Sequence, residues 1–251
     1  MSLYVERDGS GPRLVLVHGF TQNRHCWGME ATDLARDHEV LRLDAPGHGR
    51  SAGVAADLLR GGELIAAAGG TATYVGYSMG ARLCLHAALV APTEVRGLVL
   101  IGGTAGIEDP TERADRREQD LRTAGEIEAQ GVAAFVESWL AQPIFNHLPS
   151  EAAFAEERRE ATVEGLVSSI TLAGTGSQAP LWDQLPNLGM PVLVIVGALD
   201  AKFTALGERM AETIGDNATF ATVPEAGHAA HLERPAAFLA VLRPWLSSHG
   251  L

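Results

Sequence analysis

The chain has 251 residues, 46% of them hydrophobic and 20% charged, an ordinary globular composition with room for one sizeable core. Its net charge of −12 disfavours nucleic acid and anionic membranes as partners, though not a local basic pocket for an anionic substrate. Its two cysteines, Cys26 and Cys84, lie outside any C-x-x-C spacing, so zinc and dithiol motifs are excluded. The first stretch, "MSLYVERDGSGP", has neither the basic nor the apolar part of a signal peptide, and no apolar run reaches bilayer-spanning length. The expectation is a soluble, cytoplasmic protein with no nucleic-acid or membrane partner. The sequence leaves its oligomeric state open.

"RLVLVHG" (13–19) is a short continuous apolar run ending in glycine, as expected of a strand buried on both faces. "EVLRLDAPGHG" (39–49) repeats the pattern, with a turn signal after Asp44. Further strands are predicted at 73–76, 95–103, 191–197 and 218–224. Helical periodicity fills 27–35, 55–68, 79–90, 205–214 and 235–246. Strands alternating with helices imply a mostly parallel, doubly wound α/β sheet. From 107 to 187 the alternation stops. "EDPTERADRREQDLRTAGEIEAQG" is charged and helix-favouring, and "VAAFVESWLAQP" and "TVEGLVSSITLAG" are amphipathic or apolar helical segments. The expected organisation is a core of 1–106 and 188–251, with a helical lid, 107–187, inserted between two strands.

"GYSMG" (76–80) fits G-x-S-x-G between a predicted strand and a predicted helix. A nucleophile or base there needs a very tight turn, and the flanking glycines remove the Cβ atoms that would clash. Serine needs a neighbour to take its proton, and in this motif class an acid and then a histidine follow in the chain. Asp200, in "VIVGALDAKF", and His228, in "VPEAGHAAHLERP", each fall just past a predicted strand end. Parallel strands share one carboxyl-end rim, so Ser78, Asp200 and His228 can converge there. Read singly, Asp200 is also a helix N-cap and His228 a loop histidine. His231 and Glu233 compete with His228; the glycine before His228 favours the latter. Backbone N–H groups of Phe20, in "LVLVHGF", and Met79 are the expected oxyanion donors. His18 and His48 read as loop-ordering residues, and Cys84 as a small core residue. "HAAH" (228–231) lacks the glutamate of H-E-x-x-H, so neither metal nor cofactor is expected.

Together "HGF", "DAPGHGRS", "GYSMG", "GALD" and "AGH" resemble the α/β-hydrolase superfamily over nearly the whole chain. That resemblance implies the α/β-hydrolase fold and the Ser-Asp-His triad, and leaves the reaction open. A narrower resemblance runs through "HGFTQNRHCW", "GYSMGAR", "GGTAGIEDPTERADRREQD", "FVESWLAQPIF", "GTGSQAPLW", "GALDAKF" and "AGHAAHLERP". These are similar to the menaquinone-pathway family of 2-succinyl-6-hydroxy-2,4-cyclohexadiene-1-carboxylate (SHCHC) synthases, the lid included.

That family is a lyase family. It eliminates pyruvate from an enolpyruvyl-bearing cyclohexene carboxylate, consuming no water, with the triad acting as base. The resemblance implies a small anionic substrate held by Tyr77, Arg82, Arg116, Trp139 and Arg158. For Arg82 a buried ion pair bracing the helix stands as an equal reading, and plain surface ion pairs such as Glu112 with Arg116 are the usual fate of lid arginines. One departure is Ile170 and Thr171, where the family carries an arginine before "GTG". The alternatives are a serine hydrolase of the same fold, acting on an ester, thioester or carbon–carbon bond, and a non-catalytic small-ligand receptor on that scaffold.

Overall fold

The computed structural model describes residues 2–251. Its seven strands are β1 (Val5–Asp8), β2 (Arg13–Val17), β3 (Glu39–Leu43), β4 (Ala72–Tyr77), β5 (Val95–Ile101), β6 (Val192–Gly197) and β7 (Ala218–Val223). They form one sheet in the order β1-β3-β2-β4-β5-β6-β7. All neighbours are parallel except β1, which runs antiparallel to β3 with Val5 opposite Leu43. The six predicted strands are present; β1 was not predicted. Its "VERD" carries two exposed and two half-buried residues, so it lacks the apolar run that marks the others.

Both sheet faces are covered, and residue alternation divides the core in two. Val15, Val17, Tyr74, Leu98 and Val194 point to one face, where α2 (Leu58–Gly69), α3 (Met79–Val90) and α7 (Ala201–Ile214) contribute Leu64, Leu83 and Met210. Leu14, Leu16, Val75, Val99 and Ile195 point to the other. There α1 (Gly28–Leu34), α8 (Ala230–Glu233) and α9 (Pro235–His249) supply Leu34, Leu232 and Phe238. Cys84 is fully buried in the first core. Helix α7 begins at Ala201, four residues before the predicted start, because the Asp200 side chain accepts the Phe203 N–H and caps it.

No strand lies between β5 and β6. The chain instead forms α4 (Pro110–Leu140), α5 (Ala155–Arg159) and α6 (Val163–Ala173), then a 3-10 turn over Trp182–Asn187. Asp109 caps α4 through the N–H groups of Thr111 and Glu112, with Pro110 in its first turn. Gly131, at φ +74° and ψ 167°, breaks α4 into two helices. Ala124, Ile127, Phe135, Leu166 and Ile170 form a small core of their own, and Trp182 and Leu185 return the chain to the main one. Among the described residues no helix is long and apolar enough to cross a membrane.

Candidate active site

Ser78 sits between β4 and α3 with φ +52° and ψ −107°, a conformation that a non-glycine residue rarely holds. Its neighbours show why the segment reads G-x-S-x-G. A Cβ on Gly80 would strike the Val17 and His18 carbonyl oxygens, and one on Gly76 would strike the backbone of Gly80 and Ala81. Only with both glycines does α3 pack this close to β2 and β4. The turn is tied to the sheet by the Ser78 N–H, which donates to Ile101 O at 2.8 Å.

Three sequence-distant residues meet at this turn. Ser78 Oγ lies 3.1 Å from His228 Nε2, and His228 Nδ1 lies 2.9 Å from Asp200 Oδ2. Asp200 follows β6, and His228 follows β7. Leu199 N–H donates to Ala226 O at 2.8 Å, so the two loops are bonded to each other. Burial pushes the Asp200 carboxyl up, but the His228 hydrogen bond and the Phe203 N–H outweigh it and hold the group below its ordinary value. It is therefore a carboxylate, and the hydrogen bond from Nδ1 leaves Nε2 free to accept a proton from Ser78. Asp200 thus serves as both N-cap and imidazole partner.

The loop after β2 carries Phe20. Two buried histidines hold it by side-chain hydrogen bonds. His18 Nδ1 donates to Gly19 O (2.8 Å) while its Nε2 accepts the Ala45 N–H (3.0 Å). His48 Nδ1 donates to Pro46 O (2.9 Å) while its Nε2 accepts the Thr21 N–H (3.2 Å). Each ring thus uses its two nitrogens as one donor and one acceptor, which only the neutral form provides. Burial depresses His18 to about 4 and His48 to about 3. Among the described residues the Phe20 and Met79 N–H groups make no hydrogen bond, so both are free to donate. Both residues line the cavity described next.

A cavity of about 510 Å³ opens above Ser78, between the sheet rim and the inserted helices. Arg82, Arg116 and Trp139 line it, as do Lys202, Phe203 and Arg209 from α7, and Thr104 and Trp182. Arg82 is buried one turn below Ser78 and forms no ion pair with a carboxylate among the described residues; its Nη1 donates to Ala173 O at 2.7 Å. Burial and the neighbouring Arg116 lower it to about 10, which leaves it cationic at neutral pH. Arg116 pairs with the buried Asp120 at 2.8 Å rather than with Glu112. The indole Nε1–H of Trp139 is buried without a partner. Ile170 and Ala173 make one wall apolar. Glu108 and Arg209 pair at the rim at 2.5 Å.

Two of the expected substrate-binding residues are not on the cavity wall. Tyr77 lies beneath it, its ring 5.5 Å from that of His228 and 4.5 Å from that of His231. As the residue before Ser78 its side chain points back into the second core, and a Cβ on Gly19 would touch its ring. Arg158 is fully buried behind the Phe20 loop. It donates to Ala153 O (2.7 Å), Phe20 O (3.3 Å) and Thr21 Oγ1. Its hydrogen bonds are spent on backbone and hydroxyl, so it braces the loop instead of facing the cleft. Lys202, by contrast, was passed over in the sequence although it follows Asp200 by two residues at a helix start that must point into the rim.

The sheet order, the strained serine turn and the convergence at the strand ends define an α/β hydrolase. A model of the alpha/beta hydrolase family matches residues 14–241, and the chain belongs to that family. Its similarity extends to the inserted helices. It is 32% identical over 260 residues to 2-succinyl-6-hydroxy-2,4-cyclohexadiene-1-carboxylate synthase from Klebsiella pneumoniae (strain 342), covering 99% of each chain. It is 29% identical to the putative synthase of the same name from Bacillus subtilis (strain 168), over 97% of this chain and 93% of that one. Among solved structures, MenH from S. aureus superposes with a TM-score of 0.90 at 23% identity, over 98% of this chain and 99% of that one.

Proposed function

We propose that this protein is a carbon–oxygen lyase of the SHCHC synthase type, with Ser78, His228 and Asp200 acting together as a base. The observation that carries this reading is the pairing of a serine–histidine–aspartate series with a cavity whose buried cation, Arg82, makes no ion pair among the described residues. A buried guanidinium without an ion-pair partner in contact is costly, and an anion that meets it is correspondingly favoured. The full-length similarity to synthases of this name supports the reading, and the substrate that the family resemblance implies is a cyclohexene carrying carboxylates and an enolpyruvyl ether.

In the proposed reaction His228 Nε2 takes the Ser78 proton, and Ser78 Oγ removes the proton next to the succinyl ketone. The Phe20 and Met79 N–H groups stabilise the enolate oxygen. The electron pair moves through the ring double bond, and the carbon–oxygen bond to the enolpyruvyl group breaks. The leaving enolate regains a proton and becomes pyruvate, while the ring becomes a conjugated diene. One C–H and one C–O bond are lost, and no water enters. Asp200 stabilises the imidazolium formed in between. Arg82 and Arg116 fix carboxylates, and Trp139 supplies part of the wall around the ligand.

A panel assay tests the reading against the hydrolase alternative. The enolpyruvyl substrate should yield pyruvate and the diene absorbance in equal amounts. Turnover of p-nitrophenyl esters without pyruvate release from that substrate would assign the same triad to hydrolysis. Tight ligand binding that Ser78→Ala leaves unaffected, with no turnover across the panel, would instead mark a receptor.

A further inference from the structure

We infer that Glu233 is a positioning residue for His228, acting through the backbone on both sides of the imidazole. The inference rests on the proposed role of His228 as the base. Glu233 is buried at the end of α8 and turns back over the loop before it. Its Oε2 accepts the Gly227 N–H at 2.5 Å, and its Oε1 accepts the Ala229 N–H at 3.0 Å. One carboxylate thus holds the residue before His228 and the residue after it. Among the described residues no cation pairs with Glu233; the adjacent Arg234 donates to its backbone oxygen instead.

Its chemistry explains the choice of residue. Two N–H groups converge on two separate oxygens, and only a carboxylate offers two acceptor atoms at that spacing. Glutamine provides one acceptor and would turn a donor toward the other N–H. Glu233 reaches back to the N–H of the α8 N-cap residue Ala229 much as a capping-box glutamate does, from one position further along the helix, and on to the Gly227 N–H upstream. The loop is also held from the far side. A Cβ on Gly197 would collide with the Gly227 carbonyl, and Leu199 N–H bonds Ala226 O. His228 is therefore clamped between the loop that carries Asp200 and the carboxylate of Glu233. Without the second jaw, Gly227 and Ala229 are free to rotate, and the distance from Nε2 to Ser78 is no longer fixed.

The test compares pyruvate release by wild type, Glu233→Ala, Glu233→Gln, His228→Ala and the double variant His228→Ala/Glu233→Ala, alongside amide hydrogen exchange of wild type and Glu233→Gln. A displacement of the base by about 1 Å costs on the order of 10²-fold in rate, so Glu233→Ala should lower kcat by about that factor with KM within about threefold. Glu233→Gln, nearly isosteric, should recover part of the loss and show faster exchange at Gly227 or Ala229. Removing Glu233 from the His228→Ala background should change nothing further, because the residue it positions is gone. An equal loss in both backgrounds would make Glu233 a general stabiliser and overturn the inference. So would wild-type kcat in Glu233→Gln when His228→Ala is inactive, which leaves the base assignment intact. Wild-type activity in His228→Ala would remove the base assignment and this inference together.

Discussion

The Arg158 guanidinium donates to the carbonyl oxygen of Phe20 at 3.3 Å, so an arginine of the inserted helices holds the residue whose own N–H is a proposed oxyanion donor. Arg158 also bonds Ala153 O and Thr21 Oγ1, and it is fully buried. Arg158→Ala would leave three acceptors without this donor, those of Ala153 and Thr21 buried. At roughly 1–3 kcal/mol for a buried group so abandoned, the expected loss is at least about 2 kcal/mol of stability. kcat should fall with it, because the Phe20 N–H is released. Urea unfolding together with kcat checks this. An unchanged midpoint with a raised KM alone would return Arg158 to the substrate.

Arg82 and Arg116 should behave in the opposite way. Both line the cavity, and neither supports a loop of the catalytic rim. A guanidinium–carboxylate contact is worth about 1.5–3 kcal/mol, so each alanine variant should lower kcat/KM about 10- to 150-fold. Lysine should rescue Arg82 only in part, since a point charge cannot make the bidentate fork. Arg122, which pairs with Glu118 on the exposed face of α4 at 3.7 Å, is the control and should be neutral when changed to alanine. Wild-type kcat/KM in both Arg82→Ala and Arg116→Ala would remove the anionic substrate.

Stability should depend on pH through buried neutral groups. Burial holds His18 at about 4, and His48 and His231 at about 3. Below their ordinary value of about 6.5 the unfolded chain takes up protons that the folded chain refuses, so stability is complete above about 6.5 and falls as pH drops toward 4 and 3. Glu30 has the opposite sign. Its Oε2 is buried without a partner, and burial raises it to about 8. Its contribution is whole below 4.5 and is lost as pH rises toward 8. Each group changes stability by at most about 1.4 kcal/mol per pH unit. Unfolding free energy should therefore rise from pH 4.5 to 6.5 and decline from 6.5 to 8. Glu30→Gln should abolish the decline; an unchanged profile in that variant would contradict the assignment.

The parts that were legible in the sequence are those that depend on local composition. Apolar runs ending in glycine marked β2, β4, β5 and β6, since a strand buried on both faces has no polar side to alternate with. By contrast, β3 and the edge strand β7 are only partly buried and showed as β-branched or apolar runs before a turn signal. G-x-S-x-G marked the turn because two specific backbone contacts forbid a Cβ. The antiparallel edge strand β1 escaped because charged residues fill its exposed face. What spacing along a helix does not specify is which neighbour an arginine meets. Arg116 faces the cavity and Arg158 the back of the Phe20 loop, yet both sit in similar charged stretches. That difference follows from packing between segments more than 130 residues apart. The burial of Glu30 and the clamp by Glu233 arise in the same way from tertiary approach.

The most direct test of the central claim is the rate of pyruvate release from the enolpyruvyl substrate by wild type and by Ser78→Ala. The substitution is small and lies at the rim of the sheet, so the fold should persist. Wild type should release pyruvate together with the conjugated diene, and Ser78→Ala should be slower by roughly 10³-fold or more. Pyruvate release by Ser78→Ala at the wild-type rate would contradict a serine-centred base and the mechanism built on it.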